Sequence, residues 1–264
     1  MADDVWVHGD AYEAYMGRWS RPVADIFVTS LGIVPGRRWL DIGCGAGAVT
    51  ASVLANADPA HVHGIDASAS FVDRARSRIA DARATFDVGD ATALPQPDDS
   101  QDVVVSGLML NFVPEPADAL AQFVRVTAPG GTVAAYVWDY AEGMLMLRYF
   151  WDAAVACASA AADLDEGVRF PLCRPGPLQA LWLAAGLAEV AVEPIVVPTV
   201  FRDFDDFWTP FLGGQGPAPG YVAALTKDRQ DELRELLRRW LPVGPDGSIA
   251  LTARAWAVRG SVAA

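Results

Sequence analysis

Trp39-Leu40-Asp41-Ile42-Gly43-Cys44-Gly45-Ala46-Gly47-Ala48 is the stretch from which the rest of the chain is read. An apolar run ends on an acid, three glycines follow at every second position, and small residues then open a helix. A buried parallel strand needs the apolar run. Glycines, lacking a Cβ, let the backbone turn sharply and come close to a ligand. The start of the helix offers unpaired N–H groups. The expected product is a nucleotide-type site at the C-terminal end of a strand, where open α/β sheets bind their ligands.

Gly43, Gly45 and Ala48 fit the dinucleotide spacing G-x-G-x-x-G/A. That spacing leaves Asp41 unexplained, because a carboxylate is a poor neighbour for a pyrophosphate. It suits a ligand with an ammonium group and no phosphate. S-adenosylmethionine, an adenosine joined to an amino acid through a sulfonium, is such a ligand. Asp41, Gly43, Gly45 and Gly47 resemble, position by position, the E/D-x-G-x-G-x-G motif that opens the class I S-adenosylmethionine-dependent methyltransferases. Two other readings stay open: an ordinary glycine-rich turn, and an NAD-dependent oxidoreductase of the short-chain dehydrogenase kind. Against the second, Lys227 is the only lysine and position 223 is Ala, so no Tyr-x-x-x-Lys pair exists.

Outward from this stretch, strands and helices alternate. Arg38 to Ile42 is the first expected strand and Ala46 to about Ala55 the first helix. His61 to Asp66 is the second strand, also ending on an acid, 25 residues after Asp41. That offset is close to the ~20 residues at which a carboxylate meets ribose hydroxyls in βαβ nucleotide sites, and it assigns Asp66, with Ala67, to the ribose; a helix N-cap is the plain alternative. Ala84 to Val88 is a third strand, followed by Gly89-Asp90-Ala91, where the resemblance implies an acid that receives the adenine amino group. The β-branched run Asp102 to Ser106 reads as a central strand, whose exit, Gly107 to Phe112, lies beside the site. Pro116 to Ala128 reads as a helix, Pro129-Gly130-Gly131 as a turn, and Thr132 to Trp138 as a fifth strand. The resemblance covers Arg37 to Trp138 and is nearest to the ubiquinone/menaquinone-biosynthesis type of small-molecule methyltransferase. It implies a cofactor site made of Asp41, Gly43, Cys44, Gly45, Gly47, Asp66, Ala67, Gly89, Asp90, Ala91 and Ser106, with Tyr15 and Arg18 from the N-terminal segment.

The fold expected is α/β: a doubly wound, mostly parallel seven-stranded sheet with an antiparallel last strand, Ser248 to Val258, and helical insertions. It is read as a single domain, 1–264, with an N-terminal helical lid, 1–31, and lid or substrate insertions at 139–174 and 201–242. Pro22 should break the N-terminal helix in two. Its aromatic-rich first piece is either a packing helix or a cover over the cofactor; Arg18 and Arg21 either meet the cofactor's carboxylate or are surface charges.

A net charge of −13, with no local run of Lys or Arg, argues against a nucleic-acid partner. Cys44, Cys157 and Cys173 show no metal spacing and fit a reducing, cytoplasmic setting. Met1-Ala2-Asp3-Asp4 does not open a signal peptide, and no apolar span reaches the ~20 residues of a membrane helix.

Methyl transfer from a sulfonium is an in-line displacement, so alignment alone carries much of the rate. A base is optional. The candidates are His8, Tyr15, Asp139 and Tyr140; His61 and His63 read as structural. Met144, Tyr149, Phe150, Trp151, Trp208 and Phe211 either line an apolar pocket or form the insertions' own core. Together they favour a small apolar or aromatic acceptor. A protein that binds the cofactor without turnover, or uses it without methylation, is the reading of a different class.

Overall fold

A computed structural model describes residues 17–214 and 216–263. Its seven strands are β1 (Arg38–Ile42), β2 (His61–Asp66), β3 (Ala84–Val88), β4 (Gln101–Gly107), β5 (Thr127–Trp138), β6 (Ala188–Phe201) and β7 (Ile249–Ser261), in the order β3-β2-β1-β4-β5-β7-β6. The pairs β2–β3, β1–β2, β1–β4 and β4–β5 are parallel; β5-β7-β6 are antiparallel. The order reverses between β1 and β4, which places the switch point of the sheet at the end of β1, where such folds bind ligands. The doubly wound sheet with an antiparallel closing strand is the one expected.

Burial explains the strands. Val103, Val104 and Val105 of β4 and Leu40 of β1 are at most 1% exposed, as a parallel sheet covered on both faces requires. Around them run α1 (Arg18–Ser30), α2 (Ala48–Asn56), α3 (Ala69–Arg78) and α4 (Pro116–Val126). Pro22 does not break α1, contrary to expectation. It lies one turn from the first helical residue, where it forfeits a single backbone hydrogen bond, and the following Val23, Ala24, Phe27 and Val28 bury one face at 2% exposure or less. The expected Pro129-Gly130-Gly131 turn lies within β5. The β4–β5 register jumps there from Gln101↔Thr127 to Val103↔Thr132, and the N–H of Gly130 donates to Val262 O while Gly131 O accepts from Val262 N–H, both at 3.0 Å. The chain at the end of β7 thus satisfies the backbone that a turn would have left to water.

The chain divides into two compact units. The first comprises Ser20–Val137, Leu172–Ile195 and the chain from Ala255; the second comprises Trp138–Pro171 and Val196–Arg254, with Arg18 and Trp19. The second unit contains α5 (Leu145–Cys157), α6 (Glu166–Arg169), α8 (Phe204–Trp208), α9 (Pro217–Ala224) and α10 (Lys227–Trp240); α7 (Pro175–Ala184) belongs to the first. The core of the second unit is aromatic. Phe150 stacks on Phe211 at 4.5 Å and meets Trp151 edge-on at 5.0 Å, and Trp151 packs on Tyr221 at 5.7 Å. Among the described residues no helix is long and apolar enough to cross a membrane.

Candidate cofactor site

The register brings the acids together. Asp41 pairs with Gly64 in β2, so the ends of β1 and β2 emerge side by side, and the chain after β1 turns over the end of β2. Gly43 N–H donates to Ile65 O at 2.7 Å and Cys44 N–H to the same oxygen at 3.0 Å. Gly45 N–H then donates to Asp66 Oδ2 at 2.9 Å, while Ser68 N–H donates to Asp66 Oδ1 at 2.8 Å. Each carboxylate oxygen of Asp66 is therefore fixed by one backbone donor and retains acceptor capacity. Burial holds the Asp66 carboxyl above its ordinary pKa, and the two backbone donors work against that rise.

Two glycines of the loop are required by shape. Gly43 has φ +69°, and a Cβ there would collide with the side chain of Met109. Gly47, at φ +86°, precedes the first turn of α2, and a Cβ would stand 2.5 Å from Ile79 Cδ1. Gly45 differs: a Cβ would meet nothing within 4 Å, so this backbone borders open space.

Gly43 borders a cleft of about 490 Å³, within the usual range for small-molecule sites. Ile42, Gly43, Asp66, Ala67, Gly89, Asp90 and Ala91 line it, all of them at or beside the C-terminal ends of β1, β2 and β3. Asp90 Oδ1 accepts from Thr92 N–H and from Thr92 Oγ1, both at 2.8 Å, and these bonds hold its carboxyl below the ordinary range. Met109, Phe112, Val113, Glu115 and Asp118 also line the cleft. Sequence reasoning placed the exit of β4 beside the site and assigned none of these five to it individually. The signal for Glu115 and Asp118 is their position at the start of α4, which faces the same end of the sheet.

Asp41 is not on the wall of the cleft. It is fully buried, and its Oδ2 accepts from Thr50 N–H at 3.0 Å and Thr50 Oγ1 at 2.7 Å. It thereby ties the first turn of α2 to the end of β1, where the positive end of a helix favours a carboxylate. Its Oδ1 is buried without a hydrogen-bond partner. Burial, reinforced by the nearby Asp66 charge and opposed by the Thr50 bonds, pushes its pKa up to about 7. Cys44 also faces inward, against Val72, Ala75 and Phe86, and burial raises its thiol pKa. Ser106 is fully buried, its Oγ without a partner. Within the loop, Gly43 lines the cleft, Gly45 N–H holds Asp66, and the Cys44 side chain between them anchors the loop to α3.

Arg18 and the insertion candidates belong to the second unit. His8 and Tyr15 fall outside the described residues. Arg18 donates to both oxygens of Asp206, at 3.1 and 3.3 Å. Asp139, at the end of β5, is 2% exposed; its Oδ2 accepts from Arg254 Nε at 2.6 Å and its Oδ1 from Glu142 N–H at 3.1 Å. Tyr140 is buried against Phe170. Met144, Trp151 and Phe211 are fully buried and Trp208 is 6% exposed, so these four build the core of the second unit and only Tyr149 is half-buried. The two histidines of β2 have side-chain partners: His61 bonds Thr85 at 3.1 Å, and His63 bonds Asp87 at 2.9 Å and Gln96 at 3.2 Å. No cluster of metal-ligating side chains occurs among the described residues.

The site suits S-adenosylmethionine on three observations. Open space adjoins Gly45, a fixed carboxylate is bonded to its N–H, and a carboxylate oxygen of Asp41, at the end of β1, is buried without a partner. No loop glycine is followed by the Lys-Ser/Thr of a phosphate cradle.

Residues 40–135 match the family model described as a methyltransferase domain. A trans-aconitate 2-methyltransferase of Mycobacterium tuberculosis is 36% identical over 128 residues, which are 48% of this chain and 47% of that protein. The chain spans about half the length of the curated relatives it matches. Among solved structures, the YcgJ protein of Bacillus subtilis superposes with a TM-score of 0.61 at 17% identity, over 92% of this chain and 99% of that one. A Haemonchus contortus phosphoethanolamine N-methyltransferase 2, solved with S-adenosylhomocysteine, gives a TM-score of 0.61 at 18% identity, over 97% of this chain and 57% of that one. Residues 40–135 thus resemble a methyltransferase domain, and the fold of the chain is the one these solved structures share.

Proposed function

We propose that this protein transfers the methyl group of S-adenosylmethionine to a small molecule. The observation that carries the reading is the Asp66 carboxylate, held by Gly45 N–H and Ser68 N–H on the wall of an open cleft. Its two oxygens are spaced to accept from the two hydroxyls of a ribose. Asp90, the next acid along the strand ends, offers a carboxylate to the adenine amino group, and Met109 and Phe112 supply apolar surface for the ring. The backbone of Gly45 borders the cofactor's amino-acid end, and Asp41 Oδ1 gives an ammonium its counter-charge. The bound cofactor supplies a methyl already activated by a positive sulfur. What remains for the chain is to align the acceptor and exclude water, and alignment contributes on the order of 7–11 kcal/mol to such steps. Asp139 is tied up by Arg254, which favours a mechanism in which positioning, and not a dedicated base, carries the rate.

Incubation with methyl-labelled S-adenosylmethionine and a cell extract tests turnover and identifies the acceptor. Label transferred to a small molecule is the expected result. Binding of S-adenosylhomocysteine without any transfer would leave a cofactor-binding protein, and binding of NADH in its place would return the dehydrogenase reading.

A further inference from the structure

Arg18 is held in a way that its ion pair does not explain. Its guanidinium lies over the Trp19 ring at 4.3 Å and over the Phe201 ring at 4.6 Å, stacking that fixes the plane of the group. Its Nη1 is engaged by both oxygens of Asp206. Nε and Nη2 are buried and have no hydrogen-bond partner. These two nitrogens form one edge of the guanidinium, whose parallel N–H bonds match the two oxygens of a carboxylate. Asp206 thus orients the fork without using its bidentate edge.

The surroundings tolerate an anion. Arg18 lines a cleft of about 610 Å³ in the second unit, together with Thr209, Pro210 and Leu212. Three acids border it, and each has a partner. Asp205 is bonded by Arg234 at 2.9 Å, Asp203 caps α8 through Asp206 N–H at 2.8 Å, and Asp206 is flanked by Arg18 and by Arg202 at 3.9 Å. The three arginines balance the three acids. Buried donors with no acceptor are costly in any fold, and a ligand carboxylate would satisfy both at once.

We propose that Arg18 is the receptor for a ligand carboxylate in this cleft, and that its occupant is a small organic acid whose body rests on Pro210 and Leu212. Naming that acid as the methyl acceptor rests on the function proposed above; the fork itself does not. The amino-acid end of the cofactor is the other source of the same chemistry, so the test has two arms. Isothermal titration of the wild-type protein with benzoate and with neutral benzamide reads the fork directly, with benzoate expected to bind at least about tenfold more tightly. Arg18→Gln should abolish the difference, and Arg18→Lys, which keeps the charge and loses the fork, should recover only part of it. In the second arm, S-adenosylhomocysteine is compared with its decarboxylated analogue. A loss in Arg18→Gln confined to the carboxylated compound upholds the fork with the cofactor as its occupant. Equal binding of benzoate and benzamide to wild type, with no carboxylate-specific loss in the second arm, overturns the proposal. If wild type binds no S-adenosylhomocysteine at all, the methyltransferase reading fails, and the benzoate comparison still decides the fork.

Discussion

Replacing Asp66 with Asn removes one charge and keeps the shape, and its effect follows from the local geometry. In the wild type each oxygen faces one backbone donor, Gly45 N–H at 2.9 Å and Ser68 N–H at 2.8 Å. An amide has one oxygen and one NH₂. Whichever way the amide of the Asp66→Asn variant is turned, one backbone N–H faces a donor, and one ribose hydroxyl loses its charged acceptor. A hydrogen bond to a charged group contributes about 1.5–3 kcal/mol, so the affinity for S-adenosylhomocysteine should fall by roughly ten- to 150-fold. Isothermal titration measures this, with adenine as the control ligand because it lacks the ribose. Wild type and variant should bind adenine alike. An affinity for S-adenosylhomocysteine within about threefold of wild type would refute the assignment of Asp66 to the ribose. A parallel loss for adenine would show that the loop, and not the contact, had changed.

Other expectations concern stability. Asp41 and Glu166 both have pKa values raised to about 7, chiefly by burial, so the folded chain keeps protons that the unfolded chain has released between about pH 4 and 7. Bound protons then favour the folded state, and the melting temperature of the ligand-free protein should fall from about pH 5 to pH 8, by at most on the order of 1.4 kcal/mol per pH unit for each group. Asp41→Asn should flatten that fall, and a melting temperature that climbs over this range would contradict the buried, unpaired Asp41 oxygen. Phe211 is fully buried and stacked on Phe150 at 4.5 Å; Phe211→Ala should destabilise the protein by about 3–5 kcal/mol, read by urea denaturation. A change under about 1 kcal/mol would mean that the ring lines a space the surroundings can close.

The site is legible in the sequence where the chemistry is carried by rare residue types in fixed order. Glycines that must adopt positive φ and acids that end strands leave a mark, because few other residues fit. Asp41 shows the limit of such reasoning. Its place at the strand end is readable and its orientation is not, because Thr50, nine residues on, engages one oxygen and leaves the other buried without a partner. Cys44 turns inward for a similar reason: flanking glycines allow the chain to point its side chain at Val72 and Phe86. Met109 and Phe112 carry no such mark, since an apolar residue after a strand is equally at home in the core. The aromatic insertions are ambiguous in the same way. Composition gives their apolar area, and only the packing of Phe150, Trp151 and Phe211 against one another shows that they cover each other.

The unpartnered oxygen of Asp41 makes ligand binding an acid–base event. With a pKa of about 7, the carboxyl is a mixture of charged and neutral forms in ordinary buffers. A cation settling above it would draw the equilibrium to the charged form and expel a fraction of a proton into solution. The heat recorded on binding would then vary with the ionisation enthalpy of the buffer, steeply near neutrality and hardly at all well above it. A calorimeter comparing phosphate with Tris would in effect count how many protons leave Asp41, with Asp41→Asn as the reading of zero.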